Sequence, residues 1–269
     1  MNQNTDIRLL FFIGVGVMVL LFTGVLLALI FNQRKKLKHQ QDMQGLKEQQ
    51  QNQLIEAAVK SEESERHRIA ETLHDEVGGL LSSAKLHLLG IDEESLTEKD
   101  RKLHDKGRHL LTDVIHKVRG ISHNLHSHIL KEFGLNEAIR HFLTQVTGGT
   151  TIQAETALDE NYVTTNQDRD ISLYRMVQEL INNILKHAKA GRIRIESRLH
   201  TNELQIIIHH NGEGLTQEAY EAHSFQKEGL GLKNIRNRVL LLRGTLQFSK
   251  NSSEYTVQIT VPEKPAGYA

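Results

Sequence analysis

The sequence predicts a multidomain chain: an N-terminal transmembrane helix, a helical hairpin forming a dimeric four-helix bundle, and a C-terminal α/β sandwich. Three observations predict it. Residues 9–31 carry no charge, residues 69–125 hold two apolar stripes at helical spacing, and beyond Phe133 short β-branched runs alternate with two helical patterns. A length of 269 residues accommodates about two modest domains. Basic and acidic residues number 33 each, so no net field draws the chain onto nucleic acid, and direct nucleic-acid binding is not expected. The absence of cysteine excludes a disulfide framework, a thiolate metal site and a cysteine nucleophile. The two prolines are Pro262 and Pro265, so nothing upstream of them carries the side chain that breaks helices.

The uncharged run Leu9–Phe31 would span roughly 34 Å as a helix, slightly more than a bilayer's hydrocarbon core. Arg34, Lys35, Lys36 and Lys38 follow the run, whereas the basic residues of a cleaved signal peptide precede it. The positive-inside rule therefore puts that side in the cytoplasm. Residues 1–8 are then expected to be a short extracytoplasmic tail, too small for a ligand-binding domain. Residues 32–62 are rich in glutamine and charge with sparse apolar positions. They suit a helical connector of weak coiled-coil character, or a polar linker.

Ile69, Leu73, Val77, Leu80, Leu81, Ala84 and Leu88 recur every three or four residues. Leu103, Leu110, Val114, Val118, Ile121 and Leu125 resume the pattern after a polar turn near residues 90–97. Two antiparallel helices with one stripe each cannot bury both. Doubling the hairpin does, so residues 63–131 are expected to build a homodimeric bundle. Over residues 132–263, the runs 150–154, 192–199, 204–209, 245–249 and 255–261 read as strands, and 169–188 and 232–243 as helices. That pattern makes a mostly antiparallel sheet with helices on one face, followed by a tail at 264–269.

His74 follows Leu73 of the buried stripe, about 100° round the helix and so on the bundle's flank. A neutral imidazole can attack a phosphorus atom if a neighbour orients or deprotonates its other nitrogen, and Asp75 is adjacent. Gly78 and Gly79 each cost about 1 kcal/mol relative to alanine within a helix, which suggests that something must approach closely there. In a chain with 16 histidines a single one is more often merely solvent-exposed; the surrounding run ERHRIAETLHD singles this one out. His109, His116 and His123, with His126 beyond, read as a solvated bundle face.

Glu179, Asn183 and Lys186 share a helix face, with His187 beside them. An amide oxygen suits a metal and an ammonium suits phosphates, although a solvated polar face has the same spacing. Gly212 and Gly214 permit close backbone approach. Gly229 and Gly231 lead into a helix whose N-terminal amides can face an anion, although a lone GxG is more often a turn.

Three segments then occur in order: SERHRIAETLHDEVGGLLSS at 64–83, QELINNILKHA at 178–188, and NGEGL at 211–215 with GLGLKNIRNRV at 229–239. Together they resemble the two-component sensor histidine kinases of the nitrate-sensor and desaturase-thermosensor type, over about residues 60–261. The resemblance implies a HisKA_3-like dimerisation domain and a GHKL/Bergerat ATP-binding fold, with ATP and Mg2+ as cofactors. By similarity His74 is the phospho-acceptor, Asp75 the adjacent acid, Glu179 a base or water ligand, and Asn183 the Mg2+ ligand. Lys186, His187, His210, Asn211, Gly212, Gly214, Gly229, Leu230, Gly231, Leu232 and Asn234 would bind nucleotide. Residues 215–228 would close over it, with Asn234 and Arg238 supporting that lid or the phosphates.

Two positions depart from the family. Gly79 stands where a glutamine positions water for dephosphorylating the partner, and His210 stands where an aspartate accepts a hydrogen bond from adenine. The implied function is a membrane-anchored kinase that autophosphorylates His74 and passes the group to an aspartate of a response-regulator receiver domain. Its implied location is the bacterial inner membrane, single-pass, with the catalytic part cytoplasmic. The departures motivate an alternative, a pseudokinase acting as a dimerisation and regulator-binding module. A gyrase-like or chaperone-like machine would leave the His74 helix unexplained.

Overall fold

The computed structural model describes residues 3–92, 94, 96–125, 128–200, 203–224, 230–251 and 254–262. Two units are distinguished, Met1–Leu54 and Ile55–Ala269. The first is helix throughout its described residues, the opening part of α1 (Gln3–Thr72). Met18, Leu20, Phe22 and Phe31 lie exposed along it. Among the described residues it contains the one helical stretch long and apolar enough to cross a membrane.

In the second unit α1 passes through a π-helical turn, Leu73–Val77, directly into α2 (Gly78–Leu89). Thr97 opens α3 (Glu98–Leu125): its hydroxyl accepts from the Asp100 amide at 3.2 Å and donates to the Asp100 carboxylate at 2.6 Å. The return helix is fastened at both ends. His104 Nε2 lies 2.8 Å from the Leu88 carbonyl, and Ser122 donates to the Ala70 carbonyl at 2.9 Å. Of described residues 63–125, only Ala70, His104, Ile115 and Ser122 are buried, whereas Leu80 and Leu103 are each 72% exposed. Leu110 and Ile121 are exposed too, so the apolar face is wider than one hairpin covers.

The α/β part begins with α4 (His128–Thr147), which is broken at Gly134, where φ is 81°. Asn166 caps α5 (Gln167–Asn183) by accepting from the Arg169 amide at 3.0 Å. A second π-helical turn, Ile184–Ala188, extends α5 and ends at left-handed Lys189. The strands are β1 (Gln153–Ala157), β2 (Arg192–His200), β3 (Glu203–His210), β4 (Thr245–Lys250) and β5 (Tyr255–Pro262). Helices α6 (Gln217–Ser224) and α7 (Leu230–Leu241) lie between β3 and β4 in the chain. The sheet order is β1-β2-β3-β5-β4, with β1 parallel to β2 and every other pair antiparallel.

Alternation of burial fixes the register. Ile195, Ile208 and Val257 lie side by side across β2, β3 and β5, and belong to one core with Leu173, Met176, Leu180 and Ile181 of α5 and Ile235 of α7. The first strand starts later than its β-branched run suggests. Thr150 instead closes a turn, donating to the Thr147 carbonyl and accepting from the Ile152 amide at 3.2 Å. Arg243 adopts φ 51°, which stops α7 short of the expected end.

Candidate functional site

His74 sits in the π-helical turn between α1 and α2, a distortion common at functional sites. Its side chain is 69% exposed, and Nδ1 lies 2.7 Å from the Asp75 carboxylate. An Nδ1–H that donates to this carboxylate leaves Nε2 with its lone pair. A shallow hollow of about 300 Å³ lies beside it, lined by Ala70, Glu71, His74, Asp75, Ser122, His123 and His128.

In the α/β part a cleft of about 620 Å³ opens over the end of α5. It collects Glu179, Asn183, His187, His210, Gly214, Gly231 and Leu232, seven of the residues singled out in the sequence. Glu179, Asn183 and His187 follow one another at four-residue spacing along α5 and its π-helical extension. Gly231 packs against the Glu179 side chain so closely that a Cβ there would collide with the carboxylate. The first turn of α7 is thereby held against α5.

The deep wall of the cleft is apolar, made by Leu180, Ile184, Ala188, Phe248 and Val257, and His210 is its one buried polar side chain among the described lining residues. Burial pushes the His210 imidazole below the usual histidine range, leaving it neutral at pH 7.

Other residues singled out in the sequence take different places. Asn211 does not line the cleft: its side-chain oxygen accepts from the amides of Gly191 and Arg192, both at 2.9 Å, and brackets the turn after α5. Gly212 runs against the Ala188 backbone beside the bond from the Glu213 amide to the Ala188 carbonyl, 2.8 Å. Lys186 is exposed and lies off the cleft lining. Asn234 and Arg238 line a second cleft of about 240 Å³, with Glu62, Arg66, Asn124, Arg175, Gln178 and Asn182. Leu230 begins α7. Gly229, residues 225–228 of the expected lid, and His126 lie outside the described residues.

Sequence reasoning missed several contributors. Phe248 and Val257 line the main cleft outside the quoted motifs, whereas Glu213 stands inside NGEGL and Leu180, Ile184 and Ala188 inside QELINNILKHA without having been given a role there. Arg175 is buried and reaches α1 through Glu63, whereas Arg238, expected to support the lid or the phosphates, is buried and reaches α1 through Glu62. The only available signal for Arg175 was its position about two turns inside α5, a strongly patterned helix.

The arrangement combines an apolar slot, a carboxylate and an amide oxygen on one helix, and the N-terminus of another, which suits a flat heterocycle carrying phosphates. Residues 65–130 match the family described as Histidine kinase, and residues 168–265 the family described as Histidine kinase-, DNA gyrase B-, and HSP90-like ATPase. The first stretch contains His74 and the second every residue lining the main cleft. The sensor histidine kinase MctS of Rhizobium johnstonii is 26% identical over 78% of this chain and 46% of its own length. The signal transduction histidine-protein kinase/phosphatase UhpB of Salmonella typhimurium is 27% identical over 78% and 41%. The chain thus spans less than half the length of these two relatives. The solved structure of the Acinetobacter baumannii histidine kinase AdeS is similar at TM-score 0.40 and 18% identity, covering 72% of this chain and 98% of that one.

Proposed function

The chain belongs to the sensor histidine kinases that join a dimerisation and phosphotransfer region to a histidine kinase-type ATPase domain, and from that premise we propose that it phosphorylates its own His74 from ATP and passes the phosphoryl group to an aspartate of a response-regulator receiver domain. The observation that carries this reading is the exposed His74 ring with its Nδ1 held by Asp75. Nε2 attacks the γ-phosphorus, the bond to the bridging oxygen breaks and ADP leaves. Asp75 steadies the positive charge that develops on the ring. The aspartate of the regulator then takes the phosphoryl group from nitrogen, and His74 returns to its neutral state.

ATP fits the main cleft, whose apolar wall and single buried imidazole suit a purine and whose Glu179–Asn183 edge suits phosphates. Asn183, with Glu179 near it, would hold Mg2+, an oxygen-ligated cation that neutralises phosphate charge. Residues 63–131 form the dimerisation and phosphotransfer domain and residues 132–263 the nucleotide domain. The exposed apolar face of the hairpin supports a homodimer. Residues 9–31 cross the bacterial inner membrane, with the catalytic part in the cytoplasm. That assignment rests on the length and composition of the helix together with the basic residues 34–38.

A catalytically silent, regulator-binding scaffold is the second reading, favoured by the neutral imidazole at His210. Incubating the purified full chain with γ-labelled ATP and Mg2+ separates the two. A kinase gives a label labile in acid and stable in alkali, as a phosphorus–nitrogen bond requires. A dimer that neither binds nucleotide nor takes up label is a scaffold.

A further inference from the structure

His210 closes β3 and is 3% exposed, yet its Nδ1 makes no hydrogen bond within the fold. It is also the one deeply buried polar side chain among the described residues lining the main cleft. The ring cannot easily turn away. It stacks on Tyr255, with centroids 5.6 Å apart and planes within 13°. Tyr255 in turn packs tightly on Gly214 and lies under Lys250, whose Nζ is 4.9 Å from the ring centroid. The oxygen of the neighbouring amide is occupied, because Asn211 Oδ1 accepts from Gly191 and Arg192. A buried, unpaired nitrogen in an otherwise apolar wall is a group whose partner comes with the ligand.

We propose that His210 reads the base of the bound nucleotide, and that it admits purine nucleotides with either an amino or a carbonyl group at C6, so that GTP as well as ATP serves as phosphoryl donor. The inference rests on the nucleotide reading of the cleft. Its chemistry is that of a neutral imidazole, which has one donor and one acceptor and exchanges them by moving a proton between its nitrogens. With a bare nitrogen facing the base, the ring accepts from the 6-amino group of adenine. With an N–H facing it, the ring donates to the 6-carbonyl of guanine or hypoxanthine. A carboxylate at this position could only accept, and would leave a carbonyl facing a negative charge. Glu179 and Glu213 also line the cleft, but both are less buried than His210, and neither belongs to the apolar deep wall.

The test is displacement of a fluorescent ATP analogue from the purified full chain by ATP, GTP and ITP. Because each base makes one neutral hydrogen bond to the ring, GTP and ITP should compete within about tenfold of ATP. His210→Asp should retain ATP and weaken GTP and ITP by about 100-fold, the scale of mismatched buried polar groups. His210→Asn, whose amide again offers a donor and an acceptor, should keep all three. Circular dichroism checks that the variants fold, and the native ratio stands without them. Native protein that binds ATP but discriminates about 100-fold against both GTP and ITP overturns the proposal and leaves the kinase reading intact. A ratio unchanged in folded His210→Asp overturns it likewise. If no purine nucleotide binds, the nucleotide reading itself fails and takes this inference with it.

Discussion

Arg175 grips Glu63 with two hydrogen bonds, Nε to Oε2 at 2.9 Å and Nη2 to Oε1 at 2.6 Å, joining helix α5 of the nucleotide domain to the helix that runs into His74. The same guanidinium donates to the last carbonyls of α3, at Asn124 (3.1 Å) and Leu125 (2.7 Å). One side chain thus ties the nucleotide domain to both helices of the hairpin.

Removing it should loosen that junction. The Arg175 side chain is 4% exposed, so Arg175→Met leaves Glu63 without its buried partner and should cost about 3 kcal/mol locally. Hydrogen exchange should then quicken by about 100-fold in residues 62–66 and 124–125. Arg175→Lys should not rescue it, because a single ammonium cannot make the bidentate pair and cap α3 together.

Acid should act on the neighbouring pair. Burial raises the pKa of Glu62, but Arg238 and Arg66 outweigh it and hold the carboxyl below its usual 4.5. A carboxylate depressed in the folded state contributes stability that is complete above its unfolded pKa and is lost as pH falls through the folded one. Thermal unfolding followed by circular dichroism should show native protein losing stability below about pH 4.5. Glu62→Gln should be less stable than native at pH 7 and closer to it at pH 3.5.

Gly231→Ala should weaken nucleotide binding by about tenfold, because the new methyl meets the flexible end of the Glu179 side chain and displaces its carboxylate from the edge of the cleft. Calorimetric titration of ATP checks this, and the melting temperature should change little. An affinity equal to native would mean that the Glu179 carboxylate does not act on the ligand.

Leu110→Glu should break the dimer. Leu110 is exposed on a hairpin whose apolar face has no cover within one chain, and a buried leucine contributes about 1.5–3 kcal/mol in each of two copies. Light scattering on detergent-solubilised chain should shift from dimer to monomer, whereas His109→Glu, on the solvated face, should leave it dimeric.

The two helical stripes and the alternating strands were legible because they are periodicities of a regular backbone, and tertiary packing only had to agree with them. The glycines flanking the cleft were legible for a similar reason, since Gly214 and Gly231 lie where a chain passes close to another group. Other features depend on distant partners. The π-helical turns at Leu73–Val77 and Ile184–Ala188 reflect hydrogen-bond shifts that no residue type marks. Asn211 resembles a ligand-binding amide until the turn at Gly191 folds back onto it. Arg175 and Glu63 are 112 residues apart, and nothing local connects them. The expected companions Asn234 and Arg238 are on the cleft beside α1 because α7 presents one side to the slot through Gly231 and Leu232 and another to the hairpin.

The central claim is that His74 takes the γ-phosphoryl group of a nucleotide held over α5. The most direct measurement pairs incorporation of label from γ-labelled ATP with nucleotide binding, in native protein and in His74→Gln. The account predicts that the variant takes up no label while its affinity for ATP stays within about twofold of native, since His74 is absent from the cleft lining. Label in the variant at the native level would contradict it.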